Sequence, residues 1–148
     1  MLDKITYNRS EKRYEFVDHE SGEILTAPAK MKHELFKAVV GLLDPDLFDA
    51  AHRIIENNPH LERLVWKATG KVIEGGVEVF PEPVNGVEAM VISSDQWGRY
   101  SIINDNGYYA CNCPAFSEMY APITESGGRY CSHILAYRLY LRTRESRF

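Results

Sequence analysis

Cysteine is scarce: three in 148 residues, an odd number that does not make the disulfide framework on which small exported domains rely. Long apolar runs are missing as well. The longest uncharged one, Ala38 to Leu43, is six residues against the ~20 that a bilayer-spanning helix needs, so no membrane partner is expected. Met1 to Tyr7 contain no apolar signal core, and an intracellular, reducing setting, cytoplasmic or nuclear, is the expectation. Positive charge is in deficit too. Against 21 Asp and Glu stand 17 Lys and Arg, a formal charge of −4, so overall basicity does not hold this chain on nucleic acid. No Gly-rich phosphate loop follows a strand, because Gly75-Gly76 and Gly127-Gly128 lack that context. What remains is the composition of a folded protein: 45% hydrophobic and 26% charged, which excludes the disordered, collagen-like and coiled-coil classes.

Periodicity divides the chain in two. Arg13 to Asp18 and Glu23 to Thr26 read as a hairpin around His19-Glu20-Ser21-Gly22, two alternating runs joined by a Gly-containing turn. After Pro28, Met31, Leu35, Val39 and Leu42 recur at helical spacing, predicting an amphipathic helix to about Leu43. Asp44-Pro45 and Asn58-Pro59 then each supply an N-cap and a helix-starting proline for two further helices. Gly70 is a weak point in the third, and Gly75-Gly76 end it. From Val77 the period falls to two. Val77 with Val79, Ala89 to Ile92, Tyr100 to Ile103 and Tyr108 to Asn112 read as strands, with turns at Asp95 to Gly98 and Asn104 to Gly107, before a last helix from His133 to about Arg144. The expected class is α+β. Residues 1–75 form an N-terminal hairpin plus helical unit, and residues 76–148 a small antiparallel sheet with a C-terminal helix. Charge follows the same boundary: residues 1–96 carry 11 Lys and Arg against 17 acids, whereas 97–148 carry six Arg against four acids.

The chemistry is concentrated in two short pairs, Cys111-Asn112-Cys113 and Cys131-Ser132-His133, separated by seventeen residues. Residues two apart on a strand share a face, so Cys111 and Cys113 can present both sulfurs to one ion. Cys131 and His133 fall where the last helix begins, with its positive end beside the thiolates. Three thiolates and an imidazole make a closed tetrahedral site, the structural class for Zn²⁺, one ion per chain, with no position open for a catalytic water. Buried thiols that merely fill a core are the plain alternative, and a nucleophilic cysteine is the next, although no thiol stands apart with its own histidine and acid. An iron-sulfur cluster is disfavoured because it takes four cysteines at other spacings.

Taken together, Tyr100 to Ile103, a Gly-containing turn, Cys111-x-Cys113, a variable loop, Cys131-x-His133 and the apolar run Ile134-Leu135-Ala136 resemble a SWIM-type zinc finger over about residues 77–142. The resemblance implies a strand-strand-helix frame with Cys111, Cys113, Cys131 and His133 as zinc ligands. It further implies a non-enzymatic module that binds DNA or protein in the setting of recombination, replication or a mobile element. Residues 1–75 carry no such resemblance.

Two partners follow as expectations. A nucleic acid, DNA or RNA, would be held by Arg99, Arg129, Arg138, Arg142, Arg144 and Arg147, with Trp97, Phe116 and Tyr120 placed in turns or the inter-ligand loop where their rings could stack bases or pack locally. Tyr109, on the strand face of Cys111 and Cys113, would shield the metal. A protein partner, with the zinc purely structural, is the other reading. No open metal position or general-base pair is found, so no enzymatic activity is expected. The last helix adds a constraint: Ile134, Tyr137 and Leu141, then Leu135 and Leu139, then Ala136 and Tyr140 occupy three sides of it, and a helix apolar nearly all round must be covered nearly all round. The N-terminal helices are the expected cover, a second chain the alternative; the oligomeric state is left open.

Overall fold

A computed structural model describes residues 5–93, 98–117 and 128–144. The chain begins with a three-stranded antiparallel sheet, β1 (Thr6–Asn8), β2 (Arg13–Val17) and β3 (Ile24–Pro28), in the order β1-β2-β3. The predicted hairpin is therefore β2–β3, with Phe16 opposite Leu25. Its turn is tied by Asp18, whose carboxylate accepts from the Ser21 hydroxyl at 2.7 Å and the Glu20 N–H at 3.1 Å. β1 is an addition that the sequence pattern does not reveal: three residues, two of them exposed, carry no readable period.

Three helices follow: α1 (Lys32–Leu43), α2 (Pro45–Asn57) and α3 (Glu62–Ile73). α2 starts as its Asp-Pro signal dictates, with the Leu47 N–H donating to Asp44 Oδ1 at 3.1 Å. Asn58-Pro59 instead opens a single 3₁₀ turn, Pro59–Leu61, which leads into α3. α3 ends at Gly75, which has φ +73°, with the Gly76 N–H closing back onto the Lys71 carbonyl at 2.8 Å; a positive φ at this position is why glycine stops helices.

The second sheet, β4 (Val77–Val84), β5 (Val87–Ile92), β6 (Arg99–Asp105) and β7 (Tyr108–Cys111), is an antiparallel meander in chain order. Two of its hairpins turn on Asn-Gly pairs, Asn85-Gly86 and Asn106-Gly107, with all four residues at positive φ, the geometry that two-residue hairpins demand. A four-residue helix, α4 (Pro114–Ser117), and the long α5 (Ser132–Thr143) complete the order. The predicted turn at Asp95 to Gly98 lies outside the described residues except for Gly98.

α5 lies between the two halves. It packs on α3 and α2 on one side and on the strands β4 to β7 on the other, burying Ile134, Leu135, Ala136, Tyr137 and Leu139. The nearly all-round apolar helix thus finds its cover inside the chain, and one continuous core runs from Phe16 and Leu35 through Val65 and Leu139 to Ile102. Among the described residues no helix is long and apolar enough to cross a membrane.

Candidate metal centre

Cys111 is the last residue of β7, paired with Ile102 of β6. The ladder is prolonged one residue further by a side chain: Asn112 Oδ1 accepts from the Ser101 N–H at 2.8 Å. That hydrogen bond holds the Cys-x-Cys segment extended, after which Pro114 turns it into α4 and the Ser117 N–H caps back on the Cys113 carbonyl at 2.9 Å. From the other side, Cys131 is the N-cap of α5, and its sulfur accepts from the Ile134 N–H at 3.5 Å. His133 sits in the first turn of the same helix.

These four side chains converge. One ligand atom from each of Cys111, Cys113, Cys131 and His133 lies within 4.8 Å of the other three, and all four residues are buried. A tetrahedral ion with metal–sulfur bonds near 2.3 Å keeps its ligand atoms about 3.7 Å apart, so the cluster needs only a small contraction to close on one. Two observations indicate that a cation belongs there. Both ring nitrogens of His133 are buried, and among the described residues no well-formed hydrogen bond satisfies either, a costly state for an imidazole whose one polar neighbour is a sulfur. The thiols compete for charge as well: a hydrogen bond from Cys111 holds Cys131 down to about 4, with His133 and the Ile134 N–H assisting. Cys111, the partner in that bond and itself buried, is pushed up, and burial pushes Cys113 up too. A divalent ion that displaces the remaining thiol protons makes all three sulfurs anionic and paired. Three soft sulfurs with one imidazole suit Zn²⁺.

Two aromatic contacts flank the cluster. Tyr100 of β6 lies edge-on to His133 with centroids 4.7 Å apart, and Tyr109 of β7 meets Tyr137 of α5 edge-on at 5.3 Å.

Arg144 is bound to Asp44 at 2.8 Å with both side chains largely covered, and Arg99 pairs with Glu78 at 3.2 Å on the surface. Arg138 lies over the rings of Tyr130 and Tyr109, at 5.1 and 5.8 Å. Arg142, on the same helix, neighbours Arg138, Tyr130 and Arg53 of α2. Arg129 is half-buried just before Cys131. Phe116, in α4, is half-buried against the core, so packing is its observed use. Trp97, Tyr120 and Arg147 lie outside the described residues. Compared with known protein families, with curated proteins and with solved structures, the chain finds no match in any of the three.

Proposed function

We propose that the protein is a non-enzymatic, zinc-organised binding module of the SWIM type, and that its partner is a nucleic acid engaged through the C-terminal half, as in an accessory of recombination, replication or a mobile element. The observation that carries the reading is the closed donor set: three buried sulfurs and an imidazole within 4.8 Å, drawn from both ends of the Cys-x-Cys and Cys-x-His spacing. Zinc bound there supplies a covalent tie between the end of β7 and the start of α5. All four coordinating positions come from the chain, so no place is kept for a substrate or a reactive water. The chain's own part is to pre-position the ligands: Asn112 keeps the first pair extended and the α5 N-terminus receives the second.

For the nucleic acid, support rests on Arg138, since Arg99 and Arg144 spend their charge on Glu78 and Asp44. Arg138, steadied by two tyrosine rings, can offer its guanidinium edge to a phosphate while Tyr130 offers a face to a base. Those two internal ion pairs, with the acidic balance of residues 1–96, favour the second reading, a protein adaptor in which the zinc is purely structural.

One experiment separates them. Zinc-loaded protein is titrated with labelled single- and double-stranded DNA and RNA at two salt concentrations, alongside an Arg138→Ser/Arg142→Ser variant. The nucleic-acid reading expects modest affinity with a salt slope that flattens by about one unit per phosphate contact removed. Binding undiminished in the variant, or none at low salt, transfers the weight to the adaptor. Elemental analysis giving far less than one zinc per chain refutes both.

A further inference from the structure

The turn between β6 and β7 and the middle of α5 border an open cleft of about 470 Å³, lined by Asn106, Gly107, Tyr108, Tyr130 and Arg138. That volume falls within the roughly 300–1,000 Å³ of small-ligand sites. The Asn-Gly turn shapes its mouth. Asn106 and Gly107 stand at positive φ, +54° and +92°, and a Cβ at Gly107 would meet nothing within 4 Å, so the turn faces open space. Asn104 Oδ1 accepts from the Gly107 N–H at 2.9 Å and pins the turn in place.

The fold leaves the polar and aromatic groups of this cleft largely unused. Tyr108 is 58% exposed, and among the described residues its ring meets no other ring, unlike Tyr109, which meets Tyr137. Asn106 is exposed, and its amide, a donor and an acceptor together, has no partner among the described residues. Arg138 lies over the rings of Tyr130 and Tyr109 at 5.1 and 5.8 Å. Among the described residues no carboxylate pairs with it, in contrast to Arg99 and Arg144, and none lines the cleft. A guanidinium steadied by ring faces keeps its N–H edge for an anion. An exposed tyrosine alone is ordinary. A free ring face, a free amide and an unpaired guanidinium around one cleft correspond to the three parts of a nucleotide: the face of a base, its hydrogen-bonding edge, and a phosphate.

We propose that this cleft takes one unpaired nucleotide of a single strand, with the base on Tyr108, its edge toward Asn106 and a phosphate on Arg138. The proposal deepens the nucleic-acid reading above and rests on it. A duplex cannot use the cleft in this way, because its bases are already stacked and paired and extruding one is costly, whereas a single strand offers its base faces freely. An acidic peptide would satisfy Arg138 but leave the Tyr108 ring and the Asn106 amide without a use.

The probes are short labelled oligonucleotides of one mixed sequence, as single-stranded DNA, single-stranded RNA and duplex DNA, titrated with the zinc-loaded full chain and read by fluorescence anisotropy. Wild type is expected to bind a single strand at least about tenfold more tightly than the duplex, and Tyr108→Ala to lose about fivefold or more of that single-strand affinity with the loss of one stacked base. Tyr108→Phe keeps the ring and should stay within about twofold of wild type. The Tyr108 side chain is exposed, so both variants should melt as wild type does and carry the test even where a change at Arg138 disturbs α5. Arg138→Gln should flatten the single-strand salt slope by about 0.7, the value for one phosphate contact on an unpaired strand. Single-strand binding that is undiminished in Tyr108→Ala, or a preference for the duplex, overturns the cleft and leaves the nucleic-acid reading standing on whatever Arg138→Ser/Arg142→Ser removes. Wild type that binds none of the probes at low salt overturns both and gives the weight to the protein adaptor.

Discussion

Gly70 occupies the middle of α3, where a missing side chain weakens a helix by roughly 1 kcal/mol relative to alanine. Its helical neighbours alone make it a defect, yet tertiary packing makes it a requirement: a Cβ at this position would stand 2.4 to 2.9 Å from the Phe36 ring. Gly70→Ala is therefore expected to destabilise the protein by about 1–3 kcal/mol in spite of the helix gain, as overpacking does. Chemical denaturation checks the sign, and a Phe36→Leu background should relieve most of the loss. Lys71, one residue on, gives a prediction in pH. Burial depresses it to about 8, with Lys67, Glu74, Lys32 and Cys131 as the charged neighbours, while an unfolded lysine titrates near ~10.4. Below pH 8 both states carry the proton and the burial cost is fully present. Between the two values the folded chain has released its proton and the unfolded chain has not, so stability rises with pH across that window. Wild type should gain on Lys71→Met between pH 8 and 10, by up to ~3 kcal/mol. A difference that stays flat would mean that the ammonium is solvated in the folded state.

Among the elements, those with a strong period or a start signal are legible in the sequence, and so are the ligands. The three long N-terminal helices follow from their apolar spacing and their Asp-Pro and Asn-Pro openings. The metal centre follows from the use of every cysteine in two pairs. Asn85-Gly86 was equally readable as a hairpin turn, being the same dipeptide as Asn106-Gly107, but Pro81 and Pro83 interrupt the alternation around it and mask β4 beyond Val79. Other features have no local signal at all. The pairing of Arg144 with Asp44 joins residues 100 positions apart, so an arginine that composition marks as a free cation turns out to fasten α5 to the α1–α2 junction. Asp44 does two jobs there, capping α2 through Oδ1 and holding Arg144 through Oδ2. Substitution can separate them. Asp44→Asn should keep most of the cap and lose about 0.5–1 kcal/mol of partly screened ion pair, whereas Asp44→Ala should lose roughly a further 1 kcal/mol with the cap. A double-mutant cycle with Arg144→Ala, read by denaturant midpoints, should show coupling for Asp44→Asn; additivity would mean that the pair contributes nothing.

Across the whole molecule, the metal's reach depends on what α5 touches. Zinc would fix only the start of that helix, at Cys131 and His133, but the helix body is packed between α2 and α3 on one side and β4 to β7 on the other. Losing the ion leaves buried sulfurs and an imidazole without a counter-charge at the junction, and apparent binding energies of structural zinc, about 10–16 kcal/mol, match or exceed the stability of a typical domain. If the helix unseats, the apolar faces of α2 and α3 lose their cover, and a helical unit so exposed has little to hold it together. Chelation should therefore unfold the N-terminal helices along with the second sheet. Trp66 reports on this from the α3 side, being 1% exposed and packed on Phe48 and His52, away from the cysteines in sequence. In a Trp97→Phe background its emission should shift to the red on metal removal, at the same chelator concentration at which the sheet and helix signals in circular dichroism collapse. Trp66 emission that stays native while the C-terminal half melts would show two separately stable units, and would confine the ion's influence to residues 76–148.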